Sequence, residues 1–224
     1  MVKNLWETNL FAQISQPEIE KMLMCSKSYQ KSYSQGEYIF CQGDKPEKIY
    51  LLLAGYVYIA KDFASGKRDV LYVIEEGNVF GEMFLFADMD KYWYDAVAAR
   101  AVTLLEIPWE FFYHFCENAC SHHQMLVKNM LEILSKKEFH ITKKLHIVST
   151  ASLRERIAIW LIDSMNEEKT VELHMKREEL ADFLGVARPS LSRELMRMQA
   201  EGLIQVDRRK IQVMDVNAVE TLYN

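Results

Sequence analysis

The stretch "MKREELADFLGVARPSLSRELMRMQAEGLIQVDRRKIQVMD" (residues 175–215) decides the fold of the carboxyl-terminal part of the chain. Two runs with apolar residues at helical spacing flank Gly185, and Gly202 is placed to end the second run. The segments "LIQV" and "KIQVMD" then flank residues 207–209 as a strand, a turn and a strand. Helix, turn, helix and hairpin in this order predict a winged helix-turn-helix.

The second helix of this motif has a polar face opposite its leucines, and in such motifs that helix enters the major groove of DNA. Arginine can donate paired hydrogen bonds to guanine or hold a phosphate, and serine suits either partner. The candidate DNA contacts are Arg188, Pro189, Ser190, Ser192 and Arg193 on the helix, with Arg208, Arg209 and Lys210 at the hairpin turn. Residues 149–224 carry 11 Lys and Arg against 13 Asp and Glu, so only this face is basic. The alternative, a helical hairpin with a solvated charged rim, explains fewer of these cues.

Upstream of the motif, residues 109–148 contain no glycine or proline and predict a long helix. A stripe at spacings of three and four runs along it: Leu126, Met130, Ile133, Lys137 and Ile141, continuing to Lys144 and Val148. The part from Met125 onward would make a rod of roughly 36 Å. Because a small barrel cannot cover such a rod, we predict a dimer seam like a short coiled coil. The alternative is a core helix packed inside one subunit.

The amino-terminal half has the pattern of short strands. Six of the eight glycines lie between positions 36 and 81, where they separate runs of β-forming residues. The runs are "EYIFCQ", "KIYLLLA", "YVYIAKDF", "RDVLYVIEE" and "AVTLLEI". Such spacing indicates an antiparallel β-roll or jelly roll, preceded by a short helix with Pro17 in its first turn. The fold class is therefore α+β.

Composition limits the function classes. The chain has 224 residues and a net charge of −5, which does not exclude DNA binding, since that depends on where the cations lie. It contains no run of about 18 apolar residues, and its start lacks the pattern of a signal peptide. Four cysteines without a secretory signal favour a reducing compartment. We therefore expect a cytoplasmic protein without a membrane partner.

The order of β-roll, long helix and winged helix resembles the Crp/Fnr family of bacterial transcription regulators over nearly the whole chain. The segment "GVARPSLSREL" is similar to the family's recognition helix, and the glycines from Gly36 to Gly81 are similar to its β-roll turns. The resemblance implies a sensor domain at 1–108, a dimerisation helix at 109–148 and a DNA-binding domain at 149–224. It also implies a homodimeric activator that binds a pseudo-palindromic operator and works with RNA polymerase. Many members have Glu where this chain has Pro189, so the family's usual half-site is not carried over to this chain.

The sensor segment "GEMFLFADMDKYWYDAVAA" (residues 81–99) departs from the cyclic-nucleotide-binding members, in which "FGE" is followed by an Arg-Ser or Arg-Thr pair that holds the phosphate. Tyr92 and Trp93 stand at that pair, so cyclic AMP is not expected to be the effector. Gly81, Glu82 and Tyr94 complete the candidate effector pocket, although Glu82 also suits a structural role in capping turn amides. Either a small apolar or aromatic ligand stacks on the three aromatic residues, or their side chains fill the cavity themselves.

Metal and haem chemistry have weaker sequence support. The tight cysteine cluster of the family's iron-sulfur sensors is absent, and Cys116 and Cys120 suit inert thiols, a shared metal or a disulfide. Histidines at 114, 122, 123, 140 and 146 permit haem ligation. The strands lack the His and Glu cluster of a metalloenzyme, so no catalytic or metal site is predicted. A haem- or small-molecule-binding signalling protein that does not regulate DNA is the alternative function, which Arg188 and Arg193 argue against.

Overall fold

The computed structural model describes residues 5–62, 68–113, 121–173 and 175–223. Contacts divide the chain into two compact units, Met1–Leu134 and Ser135–Asn224. The boundary between them falls within one long helix, Ser121–Ser149. Gly66, His114, Cys116 and Cys120, which figure in the sequence predictions, lie outside the described residues.

The described part of the first unit contains an antiparallel β-roll. Its strands are Tyr29–Tyr33 (β1), Tyr38–Phe40 (β2), Lys48–Ala54 (β3), Val57–Asp62 (β4), Arg68–Ile74 (β5), Val79–Phe80 (β6), Asp95–Ala98 (β7) and Val102–Pro108 (β8). They form two sheets, with the orders β1-β8-β3-β6 and β2-β7-β4-β5. All of the strand pairs are antiparallel, as predicted for a roll.

Helices and short 3₁₀ turns surround the roll. The turns are Leu5–Glu7 and Asn9–Phe11, and the helices are Gln16–Ser26 (α1), Glu82–Phe86 (α2), Glu110–Tyr113 (α3) and Ser121–Ser149 (α4). Ser15 precedes α1 and forms a capping box with Glu18, whose carboxylate accepts the Ser15 backbone N–H at 3.0 Å. Proline lies in the first turn of α1, as predicted.

The five apolar runs predicted as strands are β2, β3, β4, β5 and β8. Ile49 to Leu53 of β3 are all buried, because this strand has side chains packed against both of its faces. The strands β1, β6 and β7 were not predicted. Four of the five residues of β1, "YQKSY", are exposed, and β6 is two residues long, so neither shows a clear apolar alternation.

Two separate apolar cores stabilise the first unit. One lies inside the roll and is mainly aromatic, with Phe40, Phe80, Phe84, Tyr92 and Tyr94 among its buried members. The other joins the β3–β8 sheet to the amino-terminal helices and to α4. Both cores are closed by residues far apart in sequence, so the unit is held by long-range packing.

The first turns of α4 contribute to the second of these cores. Leu126 and Met130 are each 1% exposed, and the Asn129 side chain donates hydrogen bonds to the carbonyls of Leu10 (3.0 Å) and Ala12 (2.8 Å). Leu126 and Met130 are therefore covered by their own subunit. This corrects their assignment to the dimer seam and matches, for these turns, the alternative of a core helix.

The second unit is the predicted winged helix-turn-helix. Its elements are Leu153–Ser164 (α5), Thr170–Glu172 (β9), Arg177–Phe183 (α6), Arg188–Ala200 (α7), Ile204–Val206 (β10), Lys210–Val213 (β11) and Val216–Glu220 (α8). The strands form an antiparallel sheet in the order β10-β11-β9, of which β9 was not predicted. Ile157, Trp160 and Leu161 of α5 are buried in the core of this unit.

A buried carboxylate links three segments of the roll. Glu106 on β8 is 1% exposed and accepts hydrogen bonds from the hydroxyls of Tyr33 (2.6 Å) and Tyr29 (2.8 Å) and from Lys48 Nζ (2.8 Å). Burial alone would raise the pKa of Glu106, but the hydrogen bonds from Lys48 and the two tyrosines outweigh it and hold the pKa below its usual range. The charged form is thus the stable one in the folded protein.

Replacing Glu106 by Gln should lower the free energy of unfolding at neutral pH by about 2–3 kcal/mol, because three donors lose their charged acceptor. A carboxyl group with a depressed pKa stabilises the fold above its unfolded pKa of about 4.3, and that contribution disappears as the pH falls through the folded value. Denaturant titrations at several pH values should therefore show the wild type and E106Q converging in acid. Glu132→Gln, which removes only an exposed pair with Lys128, is the control and should change stability by less than about 0.5 kcal/mol. An equal loss in both variants would contradict this role.

Candidate nucleic-acid interface

The turn between α6 and α7 fixes the angle of the second helix. Gly185 has φ +68°, the left-handed conformation that ends α6, and the Val186 N–H bonds back to the Ala181 carbonyl at 2.9 Å. On α7, Leu191, Leu195 and Met198 are each at most 2% exposed. Because these three residues occupy one side of the helix, the opposite side is left facing solvent.

The solvent side of α7 carries the predicted DNA contacts. Arg188, Pro189, Ser192 and Arg193 are exposed and Ser190 is half-buried. An Arg193 Nη2 lies 3.5 Å from Ser190 Oγ, so the guanidinium remains over the first turn of the helix. This face therefore combines two arginines and two hydroxyls on a single rigid element.

Arg188 is engaged by an acidic neighbour. Its Nη1 lies 2.9 Å from Glu178 Oε1 of α6, and both side chains are more than half exposed. An exposed pair of this kind is worth about 0–1 kcal/mol, so Arg188 can exchange the carboxylate for a phosphate or a base at low cost.

The Arg154 guanidinium forms a clamp between α5 and α7. Arg154 on α5 donates its Nε to Glu194 at 2.7 Å and both Nη atoms to Glu201 at 2.7 and 2.8 Å. These hydrogen bonds raise the pKa of Arg154 above its usual range. Such paired bonds fix direction as well as distance, and here they connect the middle and the end of α7 to the first helix of the unit.

The wing places a second group of cations near the surface. Arg208, Arg209 and Lys210 are exposed at the turn between β10 and β11, which is closed by the Asp207 N–H bonding to the Lys210 carbonyl at 2.9 Å. Gln199 of α7 accepts the Val206 N–H at 2.7 Å. This bond ties the wing to the recognition helix.

Two further residues of this surface, Met196 and Arg197, are not among the DNA contacts predicted from the sequence. Met196 is 57% exposed, and the Arg197 side chain is 69% exposed, with its Nη1 3.2 Å from Glu194. They lie three and four positions after Arg193, so helical spacing alone could have extended the predicted face to them. The clamp by Arg154 had no comparable signal, because its partners are 40 and 47 residues away.

The three aromatic residues of the candidate effector pocket lie in two different environments, since two are buried and one is exposed. Tyr92 is 2% exposed and stacks on Phe40 with ring centroids 3.7 Å apart, while Tyr94 is 1% exposed and shares a hydrogen bond of 3.2 Å with Tyr72. Burial raises the pKa of Tyr92 to about 12. Trp93, by contrast, is 46% exposed and carries Lys61 Nζ 5.4 Å above its ring. Trp93 therefore lies at the surface of the roll, where its ring meets that of the buried Tyr94 edge to face at 5.3 Å.

Gly81 and Glu82 lie at the start of α2 within the roll. Gly81 has φ +83°, and a Cβ there would lie 3.0 Å from the Tyr50 ring, so both the turn and the packing require glycine. Glu82 is 4% exposed. Burial raises the pKa of the nearby Tyr72, against the opposing effect of its hydrogen bond with Tyr94 and with a smaller contribution from the charge of Glu82.

The described residues provide no cluster of possible ligands to support the metal and haem hypotheses. No group of three or more His, Cys, Asp or Glu that could hold a metal ion occurs among them. Cys25 is exposed and Cys41 half-buried, both as free thiols. His123 is buried against Phe111 at 4.6 Å, and burial lowers its pKa. Over the same residues, no helix is long and apolar enough to cross a membrane.

The winged helix-turn-helix with its basic outer face defines a DNA-binding protein, and comparisons with known families agree. The model of the cyclic nucleotide-binding domain matches residues 30–119, and that of the Crp-like helix-turn-helix domain matches residues 155–222. The cyclic AMP receptor protein of Thermus thermophilus is 24% identical over 213 residues, 95% of each chain. The nitrogen fixation regulation protein FixK of Rhizobium meliloti is 26% identical over 197 residues, 86% of each chain.

Solved structures show the same fold. A CooA mutant from Carboxydothermus hydrogenoformans superposes with a TM-score of 0.62 at 18% identity, covering 99% of each chain. The chain belongs to the Crp/Fnr family, and it is a DNA-binding transcription regulator and not an enzyme. The predicted fold class, family and general function are thereby confirmed.

Replacing Arg154 by Ala should loosen α7 and lower the stability of the second unit by about 1–3 kcal/mol, since charge-assisted bonds to two carboxylates are lost. Amide hydrogen exchange along α7 and a urea titration would measure the two effects. Arg197→Ala is the matched control, because Arg197 touches the same Glu194 from the solvent side and should change stability by less than about 0.5 kcal/mol. Unchanged exchange in R154A would show that packing alone holds the helix.

Proposed function

We propose that this chain is a homodimeric regulator that binds a pseudo-palindromic operator, with α7 of each subunit in the major groove. The observation that carries the proposal is the exposed face of α7, where Arg188, Ser192 and Arg193 lie opposite a fully buried apolar face. An arginine on such a face can donate two hydrogen bonds to guanine O6 and N7. The direct experiment is a gel shift with a DNA duplex that contains the region upstream of the gene encoding this chain.

The wing supplies contacts of another kind. Arg208, Arg209 and Lys210 are exposed at the turn between two strands and not on a helix. They therefore suit phosphates, whose recognition requires charge more than a fixed orientation. Each phosphate contact releases counterions, and binding should weaken steeply as the salt concentration rises. Residues 149–224 are acidic overall, with 11 Lys and Arg against 13 Asp and Glu, so their basic face is the natural site for DNA.

Arg193→Ala should cost about 1–3 kcal/mol of operator affinity per half-site and relax the base preference at one position, because a paired base contact is removed. Fluorescence anisotropy with labelled operator would measure the affinity, and a footprint would measure the specificity. Arg100→Ala provides the control, since Arg100 is an exposed arginine of the first unit stacked on Tyr56 and should not alter DNA binding. A wild-type footprint from R193A would contradict the placement of α7.

Dimerisation is proposed through the exposed side of α4. Leu131, Ile141 and Leu145 are 60–68% exposed and recur, with the half-buried Leu134, at the spacing of a heptad seam. Of the residues first assigned to the seam, Ile141 belongs to this side. Ile133 and Lys137 are half-buried, and Ile133 packs against the subunit's own core. The proposed seam is therefore the stripe formed by Leu131, Leu134, Ile141 and Leu145.

Replacing Leu131 and Ile141 together by Asp should convert the dimer to a monomer, because charges at a and d positions cannot be buried between two helices. Sedimentation velocity would measure the mass, and thermal unfolding would check the fold. Lys136→Asp, on the side of the helix away from the seam, should leave the dimer intact. A dimeric double variant would place the interface elsewhere.

The proposed signal is an effector other than a cyclic nucleotide. The buried ring of Tyr92 stands where the phosphate-binding arginine of nucleotide-binding relatives would lie, and Lys91 beside it is exposed. Phosphate recognition in a cavity needs fixed donors or a guanidinium, which an aromatic cluster does not supply. We place the protein in the cytoplasm as an activator that works with RNA polymerase, as its family relationship suggests.

A further inference from the structure

Met196 is an exception to the pattern of α7. The other apolar residues of this helix with long side chains, Leu191, Leu195 and Met198, are buried, yet Met196 is 57% exposed. A single exposed apolar residue is ordinary on a protein surface. This one, however, lies between Arg193 and Arg197 on the side that the proposed function assigns to DNA.

The charges around Met196 restrict what can cover it. Arg193 precedes it by three positions, Arg197 follows it directly, and the wing cations belong to the same unit. An apolar protein partner would have to bury the Arg193 guanidinium, which contacts the Ser190 hydroxyl, without supplying an anion for it, which is costly. A DNA groove instead provides phosphates that pair with the cations. It also presents base edges to an apolar side chain that lies between those cations.

The major groove contains one apolar group that an uncharged side chain can recognise, the C5-methyl of thymine. Residues 193 and 196 are separated by about 4.5 Å along the helix axis. This distance is close to the spacing of adjacent base pairs, about 3.4 Å. Methionine is unbranched and polarisable, so its terminal methyl can adjust to a neighbouring group without a precise fit.

We propose that Met196 is a specificity-determining residue that packs against a thymine methyl next to the base read by Arg193. This inference rests on the proposed entry of α7 into the major groove. Met196 would then favour thymine over cytosine at that position of each half-site by burial of a methyl group.

Uracil substitution tests the contact, because it removes only the methyl group from the DNA. The full-length protein is first used to select its preferred duplex from a randomised pool. Each thymine of one half-site is then replaced singly by deoxyuridine, and affinity is measured by anisotropy. One thymine should show a loss of about fourfold, the value expected for burial of a single methyl group.

Met196→Ala should remove this sensitivity to uracil while keeping the preference for the base contacted by Arg193. Met214→Ala is the matched control, since Met214 is also exposed (55%) but lies outside α7, and it should keep the wild-type sensitivity. Because Met196 is exposed, M196A should also retain the thermal stability of the wild type.

The outcomes separate the inference from the function on which it rests. Specific binding without a uracil effect at any thymine, or an equal effect in wild type and M196A, overturns the role of Met196 and leaves the regulator intact. Failure of the wild type to select any duplex overturns the proposed function and the inference together.

Discussion

Burial of one face of α7 is the constraint on which the DNA-binding unit depends. Leu191, Leu195 and Met198 fill the core, each contributing about 1.5–3 kcal/mol by leaving water, and this fixes the rotation of the helix about its axis. The opposite face is then held toward solvent without any contact of its own. The Arg154 clamp adds direction to this packing by joining Glu194 and Glu201 to α5. Recognition residues on such a helix are positioned before DNA arrives, so little ordering entropy opposes binding.

The interior of the β-roll is held together by aromatic packing. Its center is an aromatic cluster in which Tyr92 stacks on Phe40 and meets Phe84 edge to face, with ring centroids 3.7 and 4.9 Å apart. Such contacts stabilise the roll by burial and by ring electrostatics. One buried carboxylate of this unit, Glu106, lies on the β1–β8–β3 sheet, where three donors compensate its charge.

The long helix α4 has two apolar sides, and this explains the error in the predicted seam. Leu126 and Met130 follow one stripe, which packs into the subunit, whereas Leu131 and Ile141 follow another, which is exposed. Both stripes have spacings of three and four, so periodicity alone cannot tell which one a second subunit would cover. Only the position of the helix against the amino-terminal segment, secured by Asn129 bonding to the carbonyls of Leu10 and Ala12, distinguishes them.

The sequence by itself determined the order of the elements, five of the strands and the winged helix-turn-helix. These features follow from local rules of periodicity, turn chemistry and residue type. The tertiary structure decided which side of α4 is exposed, that Trp93 is exposed while Tyr92 and Tyr94 are buried, and how Arg154 holds α7. It also revealed Met196 as an exposed residue among arginines. These results depend on which distant segments cover a side chain, and burial of that kind arises from long-range packing, which local sequence patterns do not encode.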